Sequence, residues 1–136
     1  MAGLSNYQRG RLGNHMLGGV QDTPDVTVYA ALCKTVPSAT LTGTTIDEAD
    51  YTGYARVAIT NNATNFPAMV AGAQSNGSTI IFPPVTGSTH SAKAMVFCDA
   101  ATVGNVICWG ILVETISLFV GETPNFAPGA ITIQIL

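Results

Sequence analysis

The sequence predicts an all-β protein: a β-sandwich or jelly-roll-like antiparallel domain of about seven strands with a short N-terminal helix. Three observations support this prediction. Short runs of β-branched and aromatic residues recur along the chain, turn signals separate most of them, and no later stretch is long enough for the helices of βαβ units. Because 136 residues suit one domain, we expect a helical anchor segment at residues 1–20 and a single β-sandwich domain at residues 21–136.

The segment "LSNYQRGRLGNHMLGG", residues 4–19, predicts the helix. Ser5 or Asn6 can cap its first turn, and the glycine pair at 18 and 19 ends it. Two internal glycines weaken the helix, each by up to about 1 kcal/mol relative to alanine. We therefore expect this segment to stay helical only when it packs against the body of the protein or against a neighbouring molecule.

The first strand is predicted in "VTVYAALCK", which follows the turn-like "DTPD" and ends before a proline. Two polar tracts, "VPSATLTGTTIDEADYTG" and "NNATNFPAMVAGAQSNG", are expected to form loops. The segment "WGILVET" can hold a bend between two strands. The other strands are predicted, in order, in "YARVAIT", "STIIFPPV", "KAMVFCDA", "VICWGILVETISLFV" and "AITIQIL".

Arg56 is the only cation in the long central part of the chain, and apolar residues flank it. Residues 54–60 alternate in polarity, and Arg56 falls on the face shared with Tyr54 and Thr60, opposite Val57. The favoured interpretation is a solvated or interfacial guanidinium. A buried ion pair with an acid of the "DEAD" segment is the alternative.

Charged residues make up only 10% of the chain, against about a quarter in typical proteins, while hydrophobic residues make up 47%. Such a weakly charged exterior favours extensive contact with other protein. The net charge of -3 and five scattered cations provide no basic stripe, so nucleic acid is not expected as a partner. The chain start lacks an apolar signal-peptide core, and no run of about 18 apolar residues occurs, so neither a signal peptide nor a membrane span is expected.

The three cysteines, Cys33, Cys98 and Cys108, each lie in an apolar run that resembles a strand. We expect buried reduced thiols, with one cross-strand or inter-subunit disulfide as the alternative. The histidines His15 and His90 share no zinc-ligand spacing with these cysteines. No metal site and no cofactor are therefore expected.

Three acids lie close together in "IDEADYTG": Asp47, Glu48 and Asp50. We expect a solvated acidic loop, with a Ca²⁺ site as the minor alternative because the spacing of an EF-hand is missing. His90 has no acid or nucleophile nearby in the sequence, and the chain lacks the common nucleophile, phosphate-loop and metalloprotease motifs. We therefore expect no enzymatic activity and no catalytic residues.

The ordered segments "LSNYQRGRLGNHMLGG", "VTVYAALCKTVPS", "GYARVAIT", "SNGSTIIFPPVTGS", "GNVICWGIL" and "GAITIQIL" carry a family resemblance. Over roughly residues 4–136 the chain resembles a family of small tailed-bacteriophage virion proteins, often labelled tail fibre or structural protein. An aspartate-tryptophan pair usual in that family is replaced here by "TGSTHSAK". The resemblance implies a non-enzymatic virion protein that is made in the host cytoplasm and gains stability from its neighbours.

Two positions on the particle follow as hypotheses. The first is a capsid decoration, or cement, protein that binds the major capsid protein lattice and copies of itself, with a trimer as one arrangement, and stabilises the head. The alternative is a tail-fibre or tail-tip component whose loops contact a host glycan or receptor. Under that alternative Tyr51, Asp47 and Asn65 could contact the sugar.

The residues expected at a protein interface lie mainly in the predicted helix, with two more in and before the "YARVAIT" segment. They are Leu4, Tyr7, Arg11, Leu12, Met16, Leu17, Tyr51 and Arg56.

Overall fold

Short strands separated by long turns dominate the chain. The computed structural model describes residues 3–135. Within that range nine strands and one helix follow one another as β1 (Gly3–Leu4), α1 (Asn6–Leu17), β2 (Thr27–Cys33), β3 (Val57–Thr60), β4 (Ala73–Ser75), β5 (Ile80–Ile81), β6 (His90–Cys98), β7 (Val106–Leu118), β8 (Asn125–Phe126) and β9 (Thr132–Gln134).

Five of the strands form one antiparallel sheet in the order β1-β7-β6-β2-β3. Strands β2 and β6 and the first part of β7 are rich in apolar residues because both faces of the sheet are covered there. The two edge strands are short, with two residues in β1 and four in β3. The remaining strands form two antiparallel ribbons, β4 with β9 and β5 with β8.

The two ribbons cover one face of the sheet and enclose the larger core. Phe82 is at its centre: its ring stacks on Tyr54 at a centroid distance of 6.3 Å and meets Phe126 edge-on at 6.1 Å. Buried aromatic rings combine a large apolar area with a preferred packing geometry, so these contacts orient the ribbons on the sheet. The side chain of buried Asn76, just after β4, connects this strand to the segment between β8 and β9. Its amide donates to the Ala127 carbonyl at 2.8 Å and accepts from the Ile131 amide at 2.9 Å.

The long segment between β2 and β3 covers the opposite face. Ile46 from this segment packs on Trp109 and on small side chains such as Ala31. At Gly43 the segment approaches the turn after β6 so closely that a Cβ atom would lie 1.8 Å from the Val103 carbonyl oxygen. Only glycine fits at this position.

Strand β7 bulges strongly where it passes β6. Ala94 is paired with Ile111 and Ala92 with Ile116, so one residue of β6, Lys93, lies opposite four residues of β7, 112–115. A bulge of this kind changes which way the side chains point and bends the strand. It lies in the "WGILVET" segment, where the sequence predicted a bend.

The all-β class and the N-terminal helix are confirmed. The helix starts after the Ser5 cap and ends at Gly18, and the two polar tracts are mostly loop, as predicted. The jelly-roll arrangement stays a prediction. One strand boundary is wrong: the segment "YARVAIT" becomes a strand only at Val57, because Tyr54 and Arg56 turn into the protein instead of continuing the alternation.

The division into an anchor at residues 1–20 and a domain at residues 21–136 stays a prediction, and residues 1, 2 and 136 lie outside the described residues. The segment before the helix belongs to the sheet. β1 pairs with β7, and the side chains of Leu4 and Ser5 are buried. An anchor that is free of the domain can therefore begin only at Asn6.

Candidate interaction surface

Helix α1 lies against the body without burying any of its own residues. Its start is fixed firmly: the Ser5 amide donates to the Ile107 carbonyl at 3.0 Å, and the Ser5 hydroxyl donates to the Val106 carbonyl and accepts from the Gln8 amide. This hydroxyl therefore serves as the helix cap and as a buried link to β7. Beyond its first turn the helix presents most of its length to the surroundings.

Arg11 attaches the middle of the helix to the segment that leads into β2. Its guanidinium pairs with Asp22 at 2.7 Å and Asp25 at 2.9 Å, donates to the Thr23 carbonyl at 2.8 Å, and lies over the Tyr7 ring. The hydrogen bond to Asp25 raises the pKa of Arg11, although partial burial opposes the charged form. Arg11 was predicted at a partner interface, and the structure uses it instead to hold the helix to its own chain.

An open groove of about 710 Å³ runs between α1 and the loop that follows β3. Its walls are largely apolar and combine helix, loop, sheet and the C-terminal strand region. They include Leu12, Phe66, Met69, Ile107, Ile133 and Ile135. The loop was predicted only as a polar tract, and its apolar residues in "NFPAMV" were the available sign that it lines a groove.

The structure separates the predicted interface residues into two groups. Tyr7, Leu12, Met16 and Leu17 are exposed on α1, and Leu17 has 92% of its surface accessible. They remain predicted interface residues. Leu4 and Tyr51 are buried, so neither can contact a partner in this conformation, and the prediction is wrong for them in that respect. Tyr51 donates its hydroxyl to the Pro83 carbonyl at 2.7 Å, and its side chain is therefore not an exposed platform for a sugar.

Arg56 is buried, which contradicts the favoured interpretation of a solvated or interfacial guanidinium. Its side chain is 3% exposed and pairs with Glu48 through two hydrogen bonds of 2.9 Å. It also donates to the carbonyl oxygens of Gly43 at 2.8 Å, Ala100 at 2.9 Å and Val103 at 3.0 Å. The alternative, a buried ion pair with an acid of the "DEAD" segment, is therefore correct.

This network joins the segment before β3 to the turn between β6 and β7. Burial opposes the charge on Arg56, but its hydrogen bonds to Glu48 together with the charges of neighbouring groups outweigh that effect, so its pKa is raised. Burial, followed by the charge of Glu48, raises the pKa of Tyr54, which donates to Glu48 at 2.8 Å. Val103 adopts a left-handed backbone with φ of 57°, which is unusual for a β-branched residue and is held in place by these contacts.

The remaining acids of the "DEAD" loop also pair with cations. Lys34 lies 3.3 Å from Asp47 and 3.1 Å from Asp50, while Glu48 points to Arg56. The three carboxylates thus do not converge as ligands of one Ca²⁺ ion would. The loop is acidic as predicted, although its charges are largely compensated.

His90 has closer polar partners than its sequence neighbourhood indicated. Its Nδ1 lies 3.3 Å from Asp50, and its Nε2 lies 3.0 Å from the Ser88 hydroxyl. The order serine, histidine, aspartate is that of a hydrolase triad. However, Asp50 is 64% exposed and already pairs with Lys34, and Ser88 lies on the open surface. Water and Lys34 therefore weaken the electrostatic support that such a triad needs.

The three cysteines are free thiols, and Cys33 and Cys98 are buried as the favoured prediction has them, whereas Cys108 is half-buried on the wall of the groove. Burial raises the pKa of Cys33 and Cys108 to about 12 and that of Cys98 to about 11. A thiol with so high a pKa carries little thiolate at neutral pH, so it is a poor nucleophile.

A second exposed apolar surface lies at the far end of β7 and was not predicted. Beyond Gly110, alternate residues of this strand project outward on the face that the loop between β2 and β3 leaves uncovered. We call this surface the β7 outer face: Ile111, Val113, Thr115, Ser117 and Phe119. All five are exposed, and Val113 has 99% of its surface accessible. The signal available in the sequence was its run of large apolar residues in "WGILVETISLFV".

Within residues 3–135 no helix is long and apolar enough to cross a membrane. In the same part of the chain, no three His, Cys, Asp or Glu side chains gather as a metal site would require.

Comparison with known protein families gives a match over nearly the whole chain. Residues 3–134 match the family described as "Podophage GP4 fiber I protein gp80". No curated protein matches the chain. The matched range covers nearly the whole chain and agrees with the virion-protein resemblance found from its motifs.

Proposed function

Because this chain belongs to the podophage GP4 fiber I protein gp80 family, we propose that it is a non-enzymatic subunit of a virion fibre. Membership of this family identifies the chain as a structural protein of a bacteriophage virion. The family description favours the fibre over the capsid decoration role that we placed first from the sequence.

The single observation that carries the proposal is the uncovered helix. α1 has 12 residues, contains two glycines and buries none of them. A helix of this length is marginal in water, so burial against a neighbour would stabilise it. Its exposed apolar residues, Leu12, Met16 and Leu17, then become contacts between subunits. A fibre subunit needs such surfaces because it functions by holding to adjacent protein.

The polar groups also suit a structural role. Arg56 and Glu48 satisfy each other inside the protein, and the thiols have raised pKa values. The His90 cluster is solvated, as described above. We expect purified protein to show no labelling of Ser88 by a fluorophosphonate that reacts with activated serines. Stoichiometric labelling that is lost in Ser88→Ala would contradict the non-enzymatic role.

Contact with a host glycan or receptor is the second candidate function of the fibre. The loop residues proposed for a sugar no longer include Tyr51, which is buried. Asp47 is about half exposed but pairs with Lys34, and Asn65 donates to the Thr60 carbonyl at 2.8 Å. The structure thus gives this role less support than it gives subunit contact.

The copy number in purified virions tests the proposal. Quantitative mass spectrometry with isotope-labelled peptides would compare this chain with the major capsid protein. A fibre subunit should be present in a few dozen copies or fewer per particle. Hundreds of copies would support capsid decoration and overturn the fibre proposal, and absence from the virion would overturn both.

A further inference from the structure

We propose that the pair of Asn76 and Gly77 is a modification site under conformational control, at which the unfolded chain deamidates and the folded protein does not. This pair is the only asparagine-glycine sequence in the chain. A chain that has been modified there no longer regains the native structure, so unfolding becomes irreversible with time. The inference goes beyond the proposed fibre role and does not depend on where in the virion the chain lies.

Deamidation of an asparagine uses the backbone of the next residue. The Gly77 nitrogen gives its proton to water or hydroxide and attacks Cγ of Asn76. The bond from this nitrogen to Cγ forms, the bond from Cγ to Nδ2 breaks, and ammonia leaves. Water then opens the cyclic imide, either at Cγ to give aspartate or at the backbone carbonyl to give isoaspartate, so that the net change replaces NH2 by OH.

The sequence concentrates this reactivity at one position. Glycine allows the fastest attack because it has no Cβ atom to shield the nitrogen or to restrict the backbone. Every other asparagine of the chain is followed by a larger residue. Asn105, for example, precedes Val106, whose branched side chain crowds the backbone. We therefore expect a flexible, unfolded chain to react first at Asn76.

The folded protein holds the attacking nitrogen. The Gly77 amide donates to the Asn65 carbonyl at 2.7 Å, so its proton lies in a hydrogen bond instead of being open to hydroxide. The backbone of Asn76 is held as well, because its amide donates to the Ile131 carbonyl at 3.3 Å and its carbonyl accepts from the Gly129 amide at 2.8 Å. These bonds restrict the rotation that brings the nitrogen onto Cγ in a flexible chain.

The folded protein also holds the group under attack. Asn76 is 3% exposed, and its Nδ2 donates to the carbonyls of Ser78 at 3.0 Å and Ala127 at 2.8 Å. Its Oδ1 accepts from the Ile131 amide at 2.9 Å. These hydrogen bonds fix the orientation of the side chain, and burial keeps out the water that the reaction consumes.

The fold requires both members of the reactive pair. A Cβ atom at residue 77 would lie 2.2 Å from the Thr64 carbonyl oxygen and 2.8 Å from the Pro67 ring, so only glycine fits there. At residue 76, asparagine combines two donor hydrogens with an acceptor on a short side chain. The packing of the ribbons therefore retains a sequence that is chemically labile.

The products of the reaction do not fit the native structure. Aspartate at position 76 is ionised at neutral pH, and it would turn an oxygen toward the Ser78 and Ala127 carbonyls, where the amide supplies donor hydrogens. A buried carboxylate without a cation is strongly unfavourable. Isoaspartate lengthens the main chain by one carbon and moves Gly77 from its place against Thr64. Both products therefore oppose refolding.

Parallel incubation of unfolded and native protein tests the site. One sample is kept in guanidinium chloride and the other in buffer, at the same mildly alkaline pH and temperature, with a reductant for the thiols. Tryptic digestion and mass spectrometry then follow the peptide of residues 57–93, which contains Asn76. We expect aspartate and isoaspartate forms of this peptide from the unfolded sample. Conversion in the native sample should be at least about tenfold slower, because it requires a rare opening of the structure.

Asn105, in the tryptic peptide of residues 94–136, is the internal control and should stay unmodified in both samples. Equal rates of conversion in the unfolded and native samples would overturn the conformational control. An unmodified Asn76 in the unfolded sample, after an incubation that modifies an unstructured asparagine-glycine peptide, would overturn the site itself.

Refolding of the same samples tests the consequence. The protein is diluted from denaturant after successive times, and the native fraction is measured by the fluorescence of buried Trp109. This fraction should fall in proportion to the modified fraction at residue 76, and the refolded protein should contain only the unmodified peptide. Full recovery of chains that carry the modification would contradict the inference.

Asn76→Asp separates the effect of the charge from the loss of hydrogen bonds. Burial favours the neutral carboxyl, so its pKa in the folded variant should exceed the ordinary value of about 3.9. The variant should therefore be less stable than the wild type at pH 7, and the difference should shrink at about pH 4, where the carboxyl binds a proton.

Asn76→Ala is the matched control, since it removes the amide without adding a charge, and its loss of stability should be similar at both pH values. Urea unfolding measures both variants, and failure of Asn76→Asp to fold at pH 7 is the limit of the expected result. Wild-type stability of Asn76→Asp at pH 7 would overturn the claim that modified chains do not refold.

Discussion

Arg56 shows how one buried side chain can join parts of the chain that lie far apart in sequence. Its guanidinium is satisfied by Glu48 and by three carbonyl groups, from Gly43, Ala100 and Val103. Removing it would leave the Glu48 carboxylate without its cation and the three carbonyls without donors. Loss of one partner of a buried ion pair costs about 3–5 kcal/mol.

Arg56→Ala should therefore lower the free energy of unfolding by about 3–5 kcal/mol. This is well above the loss of at most about 1 kcal/mol expected for an exposed guanidinium. Urea unfolding followed by the fluorescence of buried Trp109 would measure it. Lys93→Ala is the matched control, since Lys93 is exposed, and it should change stability by less than about 0.5 kcal/mol. Equal losses in the two variants would contradict the buried network.

Glycine has opposite roles at two positions. Gly43→Ala should destabilise the protein because the new Cβ would lie 1.8 Å from the Val103 carbonyl oxygen. Gly13→Ala places its Cβ in open space on α1 and should stabilise the helix by up to about 1 kcal/mol. Thermal unfolding of the two variants would show opposite shifts of Tm. An unchanged Tm for Gly43→Ala would mean that the two loops are not in close contact.

The thiols predict a pH dependence. The native pKa values of about 11 to 12 exceed the ordinary value of 9.0, so folding keeps the thiols protonated when the unfolded chain would release protons. Their contribution to stability is complete below pH 9.0 and is lost as the pH rises through the native pKa values. Urea unfolding at pH 7 and pH 10 should show lower stability at the higher pH. A thiol reagent should also label Cys33 and Cys98 of the native protein slowly at pH 8, and rapid labelling of these two would contradict their burial.

At the scale of elements, α1 depends on its cap more than on its packing. The Ser5 hydroxyl accepts from the Gln8 amide and donates to the Val106 carbonyl, so it serves both the helix and the sheet. The helix has no acidic residue in its first turn to assist it. Its start is therefore tied to β7, and its remainder is free to bind a neighbour.

Ser5→Ala should reduce stability by at least about 1 kcal/mol, the usual effect of losing an N-cap, and should lower the helical signal in circular dichroism. Asn6→Ala is the control because Asn6 is exposed, and its backbone amide keeps its hydrogen bond to the Ala39 carbonyl. Equal helical signal in the two variants would show that the cap does not determine the start of the helix.

Local signals account for what could be predicted from the sequence. The helix was predictable because its cap and its terminating glycines are neighbours in sequence, and the longer strands were predictable from their β-branched and aromatic runs. β1 and β8 have two residues each, too few to show a period, so they were missed. The burial of Arg56 was missed because three of its partners come from residues 43, 100 and 103, which only the fold brings together.

At the scale of the whole molecule, contact with neighbouring protein explains both the low charge of the sequence and the exposed apolar surfaces of the structure. Most ionic groups of the described residues pair with one another within the chain. A protein with two large uncovered apolar surfaces gains stability when neighbours cover them. This is the physical reason to regard the chain as one subunit of a larger virion structure.

Immunogold electron microscopy of purified virions tests the proposed role most directly. Antibodies raised against the purified chain would be applied to intact particles and, as a control, to particles from a phage that lacks the gene. We expect gold at the fibres and little on the capsid. Gold spread evenly over the capsid surface, with unlabelled fibres, would contradict the fibre role and return the protein to the head.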